Sequence, residues 1–396
     1  MTLRNGLVAV AGLLLLAAVA ACTPKTSTAP FQIVAGSENQ SPEPILAEFC
    51  AAHSVTCKFS YAGSLDIALG LKDPASTADA VWPAASLWID IYDTARKVKS
   101  LKSVAQMPVI LGVRRSKAEA LGWVGKTVAT SDILAAVKSG KLKFLMTSAT
   151  QSNSGASAYL AMLASALGQS EPLTLADLDK DSVRAPVKAL LAGVERSSAS
   201  SGWLTELYRK SGDSGRHYDA MWNYEATIKE TNDALTLAGQ EPLYAIYPSD
   251  GVWVADSPLG FVDRGRGAET EAFFHDLQTF LQSSEIQTRI AQTGRRMILG
   301  GKSPLAADAA TNIDPSRQMT VVRPPEPAVI ERALAIYQDA LRRPSLTAMC
   351  LDVSGSMQGP LGTIGKTPSD VLPSIESVLP MPEAAVMLAL TDGLKG

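Results

Sequence analysis

Short apolar runs alternate with longer amphipathic stretches along most of the chain. Residues 31–35 (Phe31-Gln32-Ile33-Val34-Ala35), 55–61 and 79–82 have the length and the β-branched or aromatic content of strands. Stretches at 45–52 and 65–71 between them read as helices. Further on, 107–113 predicts a strand, a helix follows from Ser116, and 133–139 and 156–167 predict amphipathic helices. Strands follow at 243–247 and 252–254. From Ala272 to Thr293, apolar Phe273, Phe274, Leu277, Phe280, Leu281, Ile286 and Ile290 recur at helical spacing, which predicts one helix over 272–293. No internal repeat is evident. Strands alternating with helices predict an α/β fold with parallel sheets covered on both faces.

The first 22 residues follow a different pattern. Arg4 precedes an apolar run over 6–21 built on Leu13, Leu14, Leu15 and Leu16, and small residues close it. That is the layout of a secretory signal, and the run is short for a spanning helix, which needs about 20 residues. Val19-Ala20-Ala21-Cys22 resembles the lipobox of bacterial lipoproteins. The resemblance implies a signal peptide over 1–21, lipid on Cys22, and an extracytoplasmic position in the cell envelope, anchored to a membrane by that lipid. Residues 23–30, polar and Pro-containing, suit a tether.

Composition narrows the classes. A chain of 396 residues has room for two or three domains, and 46% apolar against 19% charged residues leaves enough to bury a core. The formal net charge is −3 and no basic run stands out, which argues against nucleic acid as a partner. Cys50 and Cys57 read as a disulfide in an oxidising compartment, with two buried thiols as the alternative. His53, His217 and His275 are scattered, and neither HExxH nor GxSxG occurs, so no zinc site, triad or other enzyme constellation is expected.

The loops after the strands carry the functional signal. They are Gly36-Ser37-Glu38-Asn39, Ala62-Gly63-Ser64, Pro83-Ala84-Ala85-Ser86 and Ser152-Asn153-Ser154-Gly155. Each offers small hydroxyl or amide groups where α/β sheets bind ligands, outside the carboxyl ends of strands. A turn or helix cap uses the same residues; the recurrence after several strands is what points to a ligand. Tyr61-Ala62-Gly63-Ser64, Ala78-Asp79-Ala80-Val81, Gln151 to Gly155, Tyr244 to Gly251, and Glu285-Ile286-Gln287 through Gly294-Arg295-Arg296 together resemble the type II periplasmic solute-binding proteins. The resemblance implies two lobes over 31–300 joined by crossover strands, one lobe at about 31–110 and 244–300 and the other at about 111–243. It places the crossovers near 107–113 and 243–247. It implies a small solute or oxyanion held by Ser37, Ser64, Ser86, Ser154, Tyr224 and Tyr247.

After residue 300 the character changes. Gly300-Gly301-Lys302-Ser303-Pro304 and Pro324-Pro325-Glu326-Pro327 are breaks, and a helix is predicted over 328–342, so 301–344 reads as linker and helix. Asp352-Val353-Ser354-Gly355-Ser356 then follows an apolar strand. It resembles the metal-ion-dependent adhesion site of von Willebrand factor A domains, and Thr391-Asp392-Gly393 resembles a later strand end of that family. The resemblance implies Mg²⁺ held by Asp352, Ser354, Ser356 and Asp392, whose hard oxygens suit that ion. Only 35 residues separate Ser356 from Asp392, so 345–396 would be a partial domain. The expectation placed first is a lipid-anchored binding protein that contacts an envelope or surface protein through this motif. The alternative is the receptor of an ABC importer for an oxyanion or other small solute.

Overall fold

The computed structural model describes residues 29–343 apart from 169–170, 214, 216, 299 and 301. Cys22, Asp352, Ser354, Ser356 and Asp392 lie outside these residues. The described chain contains two mixed sheets, each flanked by helices. The first sheet has strands β1 (Phe31–Gly36), β2 (Cys57–Ala62), β3 (Ala80–Trp82), β4 (Val98–Ser103) and the late strand Pro258–Val262. Its order is β2-β1-β3, then 258–262, then β4, with β1 parallel to both β2 and β3. Residues 258–262 run antiparallel to both of their neighbours.

The second sheet is built around β5 (Met107–Arg114), which pairs antiparallel with Ala220–Tyr224, Leu243–Ile246 and Trp253–Ala255. Phe144–Leu145 and Val194–Arg196 extend it in parallel. The strands at 107–114 and 243–246 therefore pair with each other inside the second lobe, whereas the resemblance placed the crossovers there. The chain passes between sheets just outside them, at 104–106 and 256–257. Two buried groups hold those passages. Gln287 donates to the Val104 carbonyl at 2.9 Å, and the Ser257 N–H donates to the Ala84 carbonyl at 2.7 Å.

Both faces of the second sheet are covered. Met107, Val109, Leu111 and Val113 join one apolar cluster, while Ile110 joins the cluster on the opposite face with Met221, Leu243 and Ala245. This two-residue alternation within a continuous apolar run is what a sheet buried on both faces requires. In the first lobe Phe31, Ile33 and Ala35 pack against Phe274, Leu277, Leu281, Ile286 and Ile290. Those last residues come from two helices, Ala268–Gln282 and Ser284–Gln292, where the sequence pattern predicted one. Ser283 is extended between them. The helical spacing persists across the break because both helices turn their apolar faces to the same core.

Asp79, 1% exposed, accepts from the Gln32 N–H at 2.9 Å and pairs with Arg264 and Arg266. Its motif thus ties together the middle strands of the first sheet rather than meeting a ligand. Residues 308–322 run back along the second sheet. The Ala245 N–H donates to the Thr311 carbonyl at 2.7 Å and the Val252 N–H to the Thr320 carbonyl at 2.8 Å. The helix Pro327–Ile336 then docks on Asn153–Leu167, where the Tyr159 hydroxyl donates to the Ala333 carbonyl at 2.9 Å. The stretch read as a linker is therefore part of this lobe's packing up to residue 341.

Cys50 and Cys57 are joined, with Cα atoms 6.0 Å apart, and they close a short loop from the helix Glu43–Ala52 to β2. Replacing both by Ala releases that loop in the unfolded chain and is expected to cost about 2–3 kcal/mol. Urea denaturation of the oxidised protein and of the double variant checks this; equal midpoints would show that the bridge adds nothing.

Candidate functional site

The carboxyl ends of β1, β2 and β3 face the carboxyl ends of strands 144–145, 194–196 and 220–224 across the seam between the lobes. From the first lobe come the 3₁₀ turn Ser37–Asn39, Gly63-Ser64 and Ala84-Ala85. From the second come Ser152 to Gly155, Ser200 to Gly202, and Tyr224-Glu225. In this lobe three helices of 13 residues or more begin at the seam, at Asn153, Ser201 and Glu225. The first N–H groups of a helix have no partner within it, and neither Ser152 nor Tyr224 caps with its side chain the helix that it precedes. The same N–H groups leave a partial positive charge at the helix start.

The lobes meet through polar contacts. The Gly202 N–H donates to Ser37 Oγ at 2.9 Å. The Trp88 indole donates to Asn153 Oδ1 at 2.8 Å, and Asn153 Nδ2 donates to the Tyr224 hydroxyl at 3.0 Å. Within the second lobe Ser154 Oγ lies 2.8 Å from Ser201 Oγ and 2.9 Å from Thr147 Oγ1. Within the first lobe the Ala84 N–H donates to Ser64 Oγ at 2.9 Å. Ser37, Ser64, Ser154, Ser201, Asn153 and Tyr224 are all buried. A Cβ on Gly63 would sit 2.3 Å from the Gln151 carbonyl oxygen, so only glycine lets the two backbones approach this closely. The lobes are closed on each other.

Of the residues expected to hold a ligand, Ser37, Ser64, Ser154 and Tyr224 belong to this shell. Ser86 stands apart: it is half-buried, and its N–H donates to Asp256 Oδ1 at 2.9 Å. Tyr247 bonds none of the shell's serine, asparagine or Tyr224 groups. Its hydroxyl donates to Glu225 Oε1 at 2.5 Å, and the Arg317 guanidinium lies 4.7 Å from its ring centroid. Several shell members were not singled out from the sequence. Asn153 sits in a loop that was, and Ser200-Ser201-Gly202 repeats the small, hydroxyl-rich pattern of that loop directly before a helix.

Three carboxylates and two arginines lie beneath the shell. Arg296 meets Glu225 with two hydrogen bonds, Nε to Oε2 at 2.7 Å and Nη2 to Oε1 at 2.9 Å. Glu225 is buried at the first turn of its helix, where a negative charge is favoured. Arg295, 1% exposed, donates to Glu230 Oε1 at 2.8 Å and to the Glu38 backbone carbonyl. The Glu38 side chain has no such partner at Oε1. Burial pushes its carboxyl up from 4.5 to about 7; its own N–H and the Arg295 charge pull it down, and Glu230 pushes it further up. Burial likewise raises the Tyr224 phenol, and the nearby Glu38 adds to it.

The Glu38 shift has a defined sign. Between pH 4.5 and about 7 the folded protein keeps a proton that the unfolded chain has lost. The full stability is present below that window, and part of it is lost as pH rises through it. Glu38→Gln removes the loss, so the variant should gain on the order of 3 kcal/mol over the parent at pH 8 and little at pH 4. Denaturation at the two pH values decides the matter; a difference independent of pH would mean that Glu38 does not titrate in this window.

Comparison with known proteins agrees with this architecture. The model of the bacterial extracellular solute-binding protein family matches residues 33–296. No curated protein matches the chain. Among solved structures, the periplasmic binding protein AfuA from Actinobacillus pleuropneumoniae, with fructose-6-phosphate bound, superposes with a TM-score of 0.56 at 14% identity. It covers 80% of this chain and 99% of its own. The α-D-tagatose-bound solute-binding protein from Thermotoga lettingae gives 0.55 at 13% identity, over 79% of this chain and 94% of its own. The ferric binding protein from Campylobacter jejuni gives 0.54 at 12% identity, over 78% and 98%. At such identities these likenesses establish the two-lobed fold. With two thirds of its length matched to the family model, the chain belongs to the bacterial extracellular solute-binding proteins.

Proposed function

We propose that this chain is the extracytoplasmic receptor of an ABC importer and takes a small polar solute, foremost an oxyanion, at the seam between its lobes. One observation carries the reading. Hydroxyl, amide and N–H groups from both lobes converge at the carboxyl ends of six strands, and three long helices start there. Such a shell can replace the hydration of an oxyanion without a dedicated countercharge. Arg295 and Arg296 are already engaged by Glu230 and Glu225, so the helix starts and neutral donors remain to meet the ligand. The solutes bound by neighbours of the same fold, a sugar phosphate, a sugar and ferric iron, differ so widely that the ligand has to be read from the shell rather than from the fold.

The adhesion role placed first in the sequence reading gives way to this alternative. The family match covers the body that holds the seam. Among the described residues no cluster of His, Cys, Asp and Glu could hold a metal ion. The Mg²⁺ motif at Asp352 lies beyond them and rests on its sequence pattern alone.

The test is a thermal-shift series with phosphate, sulfate, molybdate and sugars on the full mature chain. A solute present at about a hundred times its Kd should stabilise the protein by about 2.7 kcal/mol. Asn153→Ala, which deletes the amide linking Trp88 to Tyr224, should weaken that solute at least tenfold. An unshifted midpoint with every compound, or unchanged affinity in the variant, rejects the seam as the binding site. We also propose that Cys22 carries the lipid implied by its resemblance to a lipobox. Intact-mass measurement of membrane-extracted protein should show the acyl groups, and Cys22→Ser should release an unmodified protein.

A further inference from the structure

Tyr247 and the residues after it form a pocket that the seam does not use. Residues 312–320 lie over the end of the strand 243–246 and enclose a cavity of about 300 Å³ with the loop at 126–128. Its lining includes Lys126, Tyr247, Ser249, Asn312, Arg317 and Thr320. Two of the lining residues are cationic and none is acidic. The pocket belongs wholly to the second lobe, and five of its twelve lining residues lie beyond those matched by the family model.

Arg317 is held in place without an ion pair, although its charge is felt by the Asp314 carboxylate. Its guanidinium stacks over the Tyr247 ring, Nη2 donates to Asn312 Oδ1 at 2.8 Å, and Nε is buried with no acceptor. The Arg317 carbonyl accepts from Arg296 at 2.8 Å, which fixes the backbone as well. The nearest acids are engaged elsewhere. Glu225 binds Arg296 and the Tyr247 hydroxyl. Asp314 accepts from the Ser316 hydroxyl at 2.6 Å and from its N–H at 2.9 Å. Asp250 accepts from Thr130 and Ser165. Among the described residues no carboxylate forms an ion pair with Arg317 or Lys126. A guanidinium fixed by stacking presents its free N–H groups at low entropic cost, and its planar fork matches a carboxylate or phosphate.

We propose that this pocket is a second anion site, which takes a small phosphate or carboxylate against Arg317 and Lys126 independently of the seam. Occupancy would pin residues 312–320 to the second lobe whether the lobes are open or closed, because no group of the first lobe lines the pocket.

Isothermal titration of the full chain at low ionic strength with inorganic phosphate and with citrate tests this, the two arms separating phosphate from carboxylate. Arg317→Gln should weaken the bound anion about tenfold or more, the loss of a charge-assisted hydrogen bond. Lys126→Gln, at an exposed position, should weaken it severalfold without touching the fold, and it carries the test if the arginine variant does not fold. Asn153→Ala, which alters the seam, should leave this binding intact. The proposal is overturned if neither anion binds at millimolar concentration, if both charge variants bind like the parent, or if Asn153→Ala alone abolishes all binding.

Discussion

The arrangement of both lobes depends on the buried pair of Arg296 and Glu225. Arg296 follows the last helix of the first lobe, and its backbone pairs with Gln106 at the first passage between lobes. Its side chain reaches the first turn of the helix Glu225–Leu237 in the second lobe and also accepts the task of holding residues 314 and 317 through their carbonyls. One guanidinium thus joins both lobes and the segment that runs back along the second sheet. Glu225 is 1% exposed, and an ion left alone there would be costly, on the order of 3–5 kcal/mol for a broken buried pair. The same helix start supplies Tyr224 to the seam, so the pair also fixes one wall of the binding shell.

Above this pair the seam has an unusual balance of charge. Most of its groups are neutral donors and acceptors that satisfy one another within a lobe or across the seam, and the contacts across it are inexpensive to open because water can replace each one. Glu38 is the exception. Its carboxyl is buried between the lobes with an unsatisfied oxygen, and burial raises it to about 7. A ligand that brings a hydrogen-bond donor would meet that oxygen, whereas a fully deprotonated anion would face it as a like charge until the carboxyl takes up a proton.

The two regions proposed to bind anions differ in how they obtain positive potential. The seam relies on helix starts and small side chains, and these assemble only when the lobes face each other. The pocket at Arg317 relies on formal charge held by stacking on Tyr247, and it is complete within one lobe. Tyr247, like Tyr224, was expected at the seam through the family resemblance. The strand 243–246 runs antiparallel to β5 just as Ala220–Tyr224 does, so strand direction does not separate the two tyrosines; Tyr247 is set apart by its contacts, its hydroxyl on Glu225 and its ring under Arg317.

Local pattern alone determined a good part of this protein. The α/β class, the strands at 31–36, 57–62 and 107–114, and the small polar loops after them follow from two- and helix-period spacing, which depends only on neighbours in the chain. Ser37, Ser64 and Ser154 could be picked out because a loop before a helix calls for the same residue types wherever the helix lies. Tertiary structure decided what depends on partners remote in sequence. It set which lobe receives 107–114 and 243–246, the break at Ser283, the engagement of Arg295 and Arg296 by Glu230 and Glu225, and the separation of Ser86 and Tyr247 from the shell. Burial did the same for Glu38: a glutamate after a strand looks like any exposed acid until the closing lobes remove its water.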